Sequence, residues 1–364
     1  MQLKIQIFNH FDESLKKLWV NFQQSTDSYI FQTYEWQEYW FQTIGISLYS
    51  KPFIIAVYDG SKLIAIFPLG VRVSFGVNIV EFLGGGQNDY NNPIFANDFS
   101  FNSFEKIWEL ILRAIPKYDV VNLCRIPEKL QNHKNYFLKT LLFENSGESH
   151  YAELPDSINK ISEIASKRTL KDNRRMRRRL SEMGDLKFMV AVNALEYNSI
   201  VTDTLKQKQA RYLSTGAINI LRHKNVYSFY NDLFNNIPCV HLSALKLDKK
   251  ILATHLGIVF RKRFYYLMPT FLAGNYEKYS PGRLLLEDLM QWSIDNNLEV
   301  YDFTTGSENY KEKWCNKKMN IYNYQTYSTL KGFIFVIILK VILYLKSNPS
   351  IRPFLMKLNR LRKG

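Results

Sequence analysis

One run near the C-terminal third limits the fold more than any other part of the chain. It is Tyr279-Ser-Pro-Gly-Arg-Leu-Leu-Leu-Glu-Asp-Leu, followed one helix later by Val300-Tyr-Asp-Phe-Thr-Thr-Gly-Ser-Glu-Asn-Tyr-Lys-Glu-Lys-Trp314. Ser280 reads as an N-cap, Pro281 as the first helical residue and Gly282 as a position with no side chain to shield the amides. Such a start leaves backbone N–H groups unpaired, and the helix dipole turns them into an anion site. The same three residues also make an ordinary helix start. Upstream, Val240–Leu247 and Ile251–Phe260 alternate as a hairpin, and Arg263–Pro269 reads as a third strand. The predicted order is three strands, a phosphate-ready turn, a helix and a strand that delivers Asp302 and Tyr310 beside the turn.

At 364 residues the chain exceeds one ordinary core, so two domains are expected. Its 46% apolar and 15% aromatic content is globular. Cys124, Cys239 and Cys315 are widely spaced and odd in number, which suits a reducing compartment and neither a disulfide framework nor a metal site. No apolar signal core follows Met1, so a cytoplasmic protein is expected. The net charge of +15 comes from two places. Residues 167–179 carry +7 and residues 331–364 carry +8, so basicity marks two local surfaces and not the body of the protein.

The first half offers a strand (Leu3–Phe8), helices at Glu13–Gln24 and Tyr34–Ile44, a hairpin turning at Asp59-Gly60, a strand near Val77–Leu83, a helix at Ser103–Ile115 and a strand at Asp119–Leu123. The second half repeats much of that order. Tyr58-Asp-Gly-Ser-Lys-Leu-Ile-Ala-Ile-Phe67 aligns with Leu247-Asp-Lys-Lys-Ile-Leu-Ala-Thr-His255 when one turn residue is skipped, which suggests two units in tandem. Phe67 then stands where the second copy has His255, so the first copy reads as a scaffold or acceptor-binding half. Between them, Ile158–Met183 reads as one long helix with Leu170, Met176, Leu180 and Met183 on an apolar stripe. Its arginines read as a solvated basic face or as a contact for an anionic cofactor or acceptor.

Four pieces carry a family resemblance: Phe31-Gln-Thr-Tyr-Glu-Trp36 with Trp40; Gly84-Gly-Gly-Gln-Asn-Asp89-Tyr90 with Pro93; the helix around Arg174–Leu180; and Ser280-Pro-Gly-Arg through Asp302-Phe, Gly306, Tyr310-Lys and Trp314. From about residue 30 to residue 327 the chain resembles the bacterial GNAT-type acetyltransferases of cellulose and exopolysaccharide biosynthesis (CelD/BcsL-like). A departure is Thr304-Thr305, where related sequences usually carry a bulkier or basic residue before the glycine. The resemblance implies an α/β fold with mixed sheets: an N-terminal GNAT-like domain without catalysis (1–155), then the linking basic helix with a catalytic GNAT domain (156–330), then a basic amphipathic tail (331–364). It implies acyl-coenzyme A as donor, acetyl first, and no metal. Ser280, Gly282, Arg283 and Leu284 would hold the donor.

Three residues are candidates for proton transfer. His255 has a pKa class suited to accepting a proton, although a lone strand histidine is often structural. Asp302 would orient His255, act as base itself or cap the following turn. Tyr310 would protonate the departing thiolate, a role implied by the resemblance. Asp89 and Tyr90, in a glycine-rich loop, read as an acceptor-cleft wall or a surface turn, and Lys311 as a substrate contact; Trp314 reads as packing.

The expected reaction is acyl transfer to an amine or hydroxyl of an envelope glycan or its precursor. The alternatives are a Fem-type peptidyltransferase using aminoacyl-tRNA, the one case that brings in nucleic acid, and a non-catalytic scaffold of a polysaccharide-synthesis complex. The apolar run Gly332–Leu345 is short for a span and is followed by Lys346, Arg352, Lys357, Arg360, Arg362 and Lys363. It reads as an interfacial helix that meets an anionic membrane surface on the inner face, or as a helix packed on the second domain.

Overall fold

The structure is a computed structural model that describes residues 2–48, 51–131, 133–306 and 308–347. The basic positions from Arg352 to Lys363 lie outside the described residues. The chain divides into two compact units, one of residues up to Ser146 together with those from Ile321 on, the other of Gly147–Asn320. The division therefore falls at 146/147 and not at 155/156, and the C-terminal segment returns to the first unit.

The first unit begins with β1 (Leu3–Phe8), α1 (Glu13–Gln24) and α2 (Tyr34–Thr43). It continues through β2 (Pro52–Asp59), β3 (Lys62–Ser74), β4 (Val77–Phe82), the short β5 (Ile94–Phe95), α3 (Phe104–Ala114) and β6 (Val120–Pro127). A small hairpin of β7 (Lys129–Leu130) and β8 (His133–Lys134) precedes β9 (Glu144–Glu153), within which the chain passes to the second unit. There follow α4 (Lys167–Ser181), β10 (Leu186–Val190), α5 (Ala194–Thr215), α6 (Lys224–Asn231), α7 (Leu233–Asn236), β11 (Val240–Leu247), β12 (Lys250–Phe260) and β13 (Arg263–Phe271). Then come α8 (Pro281–Asp295), β14 (Val300–Thr305), β15 (Lys317–Tyr327), which leads back to the first unit, and α9 (Leu330–Ser347).

Each unit lays a hairpin and a third strand side by side, crosses over through one helix and returns parallel to that third strand. In the first unit this is β2, β3, β4, α3 and β6; in the second, β11, β12, β13, α8 and β14. The remaining neighbours are antiparallel: β1 on β2 and β15 on β6 in the first unit, β10 on β11 and β9 on β14 in the second. The tandem repeat suggested by the hairpin alignment is thus a repeat of path.

The predicted single helix Ile158–Met183 is interrupted. A 3-10 turn covers Ile158–Glu163, and Ser166 then takes extended backbone, its Oγ accepting from Thr169 N at 3.2 Å to cap a new helix. Leu170 and Leu180 are buried and Met176 partly so, but Met183 is exposed and off the stripe.

Phe67 sits at the centre of the first unit's core. It is fully buried among Phe95, Phe104 and Trp108, with ring centroids 5.8, 6.4 and 6.4 Å away. Phe67→Ala is expected to destabilise the chain by about 3–5 kcal/mol through the cavity it leaves. Urea unfolding checks this, and an unchanged midpoint would mean that the site collapses around the loss.

Candidate active site

The site begins at a defect in the second unit's sheet. Leu256 stands opposite Met268 and Ile258 opposite Tyr265, so the single residue Gly257 faces both Tyr266 and Leu267. This β-bulge bends β13. A Cβ at Gly257 would lie 2.3 Å from the His255 ring and 2.5 Å from the Tyr265 carbonyl oxygen, so only glycine fits there. Past the bend, β13 parts from its parallel neighbour, and the shared ladder runs only through Arg263–Tyr265 opposite Val300–Asp302. A cavity of about 1060 Å³ lies along the departing strand, with Tyr266 and Thr270 of β13, Thr254 of β12 and Tyr310 on its wall.

The start of α8 opens into this cavity through Ser280, Gly282 and Arg283. Ser280 is not the predicted side-chain cap: its backbone is left-handed (φ 54°, ψ 51°) and its hydroxyl makes no cap bond. Its carbonyl accepts instead from Arg283 N (3.0 Å) and Leu284 N (3.2 Å). Of the several open amides expected, the Gly282 N–H is left without a backbone acceptor. Arg283 Nε has no hydrogen-bond partner, nor has the buried Thr270 Oγ1. An amide without a backbone acceptor beside an arginine on one cavity wall suits an anionic ligand such as a pyrophosphate. Leu284 is fully buried in the core and takes no part.

The proton-transfer candidates separate. Tyr310 lies on the cavity wall, and burial, then the charge of Glu308, raises its phenol above the usual range. It therefore holds its proton and is available as a donor. His255 is fully buried and off the cavity, stacked on Tyr266 with centroids 4.3 Å apart and 8° between planes, and neither ring nitrogen has a partner. Burial holds it neutral, well below the ordinary histidine value. It cannot serve as the predicted base because no acceptor proton reaches it. Asp302 is buried in an ion pair with Arg263 (2.9 Å), and its other oxygen accepts from Thr304 N at 2.8 Å. Of its three predicted roles, the structure shows the turn cap. Thr304 has φ 58°, a costly region for a β-branched residue that this bond helps to hold.

Lys311, expected at the substrate, is buried and pins its own loop: Nζ donates to the Thr305 carbonyl (2.8 Å) and pairs with Glu308 (2.9 Å). Burial works against the Glu308 carboxylate, but Lys311 holds its pKa below the usual range. Asp89 and Tyr90 belong to the first unit, in a loop pinned by side-chain hydrogen bonds. Asn88 Oδ1 accepts from Trp36 Nε1 (2.7 Å), Asn88 Nδ2 donates to Asn91 Oδ1 (2.8 Å), and Arg125 donates to the Gly86 and Asn88 carbonyls. Tyr90 is fully buried against Tyr29 (4.6 Å), while Asp89 is half-exposed.

Several site residues carried no sequence signal. Arg211 lines the cavity and stacks on Phe271 (5.1 Å), one helical turn from Lys208, whose ammonium is pushed down to about 8 by burial and then by Arg211. Helical spacing from a known cavity residue would have found both, but the sequence does not show the cavity. The basic helix α4 divides its cations. Arg168 lines the cavity, whereas Arg177 clamps α8 through Asp288 (2.6 Å), beside Asn173 on Glu287 (2.6 Å). Among the described residues no cluster of His, Cys, Asp or Glu is placed to hold a metal ion.

His255 and a second buried histidine link the core to pH. His241, between Phe264 (5.0 Å) and Trp292 (4.3 Å), is pushed down to about 3 by burial. Unfolded, each imidazole takes a proton near pH 6.5. Stability is therefore complete above that pH and falls as pH drops toward the folded value, because the unfolded state binds more protons. His241 alone costs about 2 kcal/mol by pH 5, and His255 adds in the same direction. The urea midpoint is expected to fall between pH 7 and 5, and to fall less in His241→Phe; equal falls would show that His241 is not the source.

Comparisons with known proteins give a family match for part of the chain and a likeness of fold for most of it. An acetyltransferase (GNAT) domain family matches residues 167–312, inside the second unit. No curated protein matches the chain in sequence. The solved structure of FemX is similar with a TM-score of 0.57 at 11% identity, covering 88% of this chain and 97% of that one. L-PGS from Bacillus licheniformis is similar at 0.54 and 11%, covering 91% and 98%. A tandem GNAT protein from the clavulanic acid biosynthesis pathway is similar at 0.51 and 7%, covering 90% and 98%. At these identities the likeness is one of fold. Residues 167–312 form a GNAT-type acetyltransferase domain, and the chain that carries it is an acyltransferase.

Proposed function

We propose that the second unit moves an acetyl group from coenzyme A to an amine or hydroxyl of an envelope or exopolysaccharide glycan or its precursor, on the inner face of the membrane. The observation that carries the donor assignment is the start of α8, where the Gly282 N–H has no backbone acceptor and Arg283 lines a cavity that reaches Tyr310. The pyrophosphate meets those groups, and the thioester arm runs along the departing edge of β13. The acceptor attacks the thioester carbonyl, the C–S bond breaks, and Tyr310 gives its phenolic proton to the sulfur. The proton released by the acceptor restores Tyr310.

The glycan acceptor rests on the resemblance to the CelD/BcsL-like proteins. Two of its four pieces meet in the first unit, where Trp36 bonds Asn88 and Trp40 Nε1 bonds Gln87 Oε1 at 3.1 Å. A second reading takes aminoacyl-tRNA as donor. Its support is the exposed row Lys167, Lys171, Arg174, Arg175, Arg178 and Arg179 on α4 beside the cavity residue Arg168.

Calorimetry with acetyl-coenzyme A decides between the two. Binding is expected, and it should weaken in Gly282→Leu, because even a Cβ there would press to 3.3 Å from Phe271 and a longer side chain would cover the amide. Absence of binding at millimolar ligand, with binding of aminoacyl-tRNA, would establish the second reading. Tyr310→Phe is expected to lower kcat by about 10²–10⁴-fold at unchanged donor affinity. Wild-type turnover in that variant would remove Tyr310 from the reaction.

A further inference from the structure

The C-terminal helix α9 shows two faces. One lies on the first unit: Gly332 and Val336 are buried, Val336 against Val77, Ile79 and Val120, and Lys331 pairs with Asp119 at 2.9 Å. The other is apolar and open to solvent. Leu330, Ile334, Ile337, Ile338, Val341 and Ile342, at helical spacing, form a stripe whose members are 39–74% exposed, with Phe333 at its edge. Lys331 and Lys340 flank the stripe, the second 3.9 Å from Glu144. The helix is therefore packed on the first unit, and not on the second as one expectation had it.

A second apolar group stands next to it. Phe75, in the tight turn between β3 and β4, is 97% exposed with φ 50°, and the carbonyl of the following Gly76 accepts from Lys331 Nζ at 2.5 Å. That bond ties the tip bearing Phe75 to the first turn of α9. Val73, on the same hairpin, is also exposed.

We propose that the α9 stripe and Phe75 form a docking surface for a bilayer containing anionic lipid. Charge complementarity selects this occupant over a second copy of the chain. After Glu312 the sequence contains no acidic residue, and residues 331–364 hold eight lysines and arginines. A second copy would bring like charge to like charge, whereas an anionic surface neutralises it. Lysines at the borders of an apolar stripe keep their ammonium groups at headgroup level while their stems lie along apolar surface. Among the described residues no helix is long and apolar enough to cross a membrane, so the contact lies in the plane of the interface. The proposal does not depend on which donor or acceptor the second unit uses.

Sedimentation of the full chain with vesicles tests it, comparing mixed phosphatidylcholine and phosphatidylglycerol with phosphatidylcholine alone. Binding to the mixed vesicles is expected, weakened but not abolished by high salt. The double variant Ile334→Glu/Ile338→Glu should lower the partition coefficient about tenfold or more, and Phe75→Ser about threefold, since apolar insertion and charge attraction add. These positions are exposed, so circular dichroism and the urea midpoint should be unchanged. Undiminished binding of the double variant would reduce the contact to tail charge and overturn the docking face. Failure of the native chain to bind would overturn it too. If that chain sediments as a dimer that the double variant dissociates, the stripe is covered by a second copy.

Discussion

Two parallel strands that share only a short ladder govern the second unit. Were β13 to continue beside β14, their backbones would satisfy each other and leave no gap. The bulge at Tyr266 and Leu267 opposite Gly257 bends β13 away instead, and the cavity lies along the parted strand. The short ladder is held by the buried pair of Arg263, on its first rung, and Asp302, on its last, with Arg263 also 5.8 Å from the Tyr151 ring. Removing one member of such a pair strands a charge in the core and costs about 3–5 kcal/mol. The residue that read as an orienter of His255 or as a base is thus the anchor from which the site opens.

The first unit follows the same path to a different end. Its β3 and β4 pair without a bulge from Leu69–Phe82 to Ser74–Val77, and β4 stops soon after its brief ladder with β6. Beside β6 the chain's own loop takes up the hydrogen bonds: Asn91 N donates to the Arg125 carbonyl (2.8 Å) and Asn91 Nδ2 to the Cys124 carbonyl (3.0 Å). The place beside β6 is thus taken by backbone and by asparagine side chains. The fold is repeated while its opening is not.

What the sequence disclosed follows from periodicity. The strands Leu3–Phe8, Val240–Leu247 and Arg263 onward, the helix at Pro281 and the doubled order of elements were all legible, because burial on one face imposes alternation or helical spacing. The helix start was legible at Pro281 and Gly282 because helix starts have local chemistry, although Ser280 closes it through its carbonyl and not its hydroxyl. Depth was not. Whether His255 faces a cavity or a stack of Phe264 and Tyr266 depends on a bulge one strand away, and whether Lys311 meets a ligand or the Thr305 carbonyl depends on a loop that closes on itself. The break at Ser166 was hidden because apolar spacing on either side resembles one helix. Arg177 and Arg168 look alike in sequence, yet one clamps α8 and the other reaches the cavity.

The order in which a ribosome releases this chain gives the discontinuous first unit an awkward wait. Strand β6 emerges long before β15, the strand that pairs with it through Val120–Pro127 and Tyr327–Ile321. The whole contiguous second unit is made in between. During that interval the edge of β6 is unpaired and the Val77, Ile79 and Val120 patch lacks Val336. Exposed strand edges and apolar patches are the surfaces on which nascent chains aggregate. The unit made first is therefore the unit finished last. A prematurely terminated product would carry a complete acyltransferase fold attached to an open sheet.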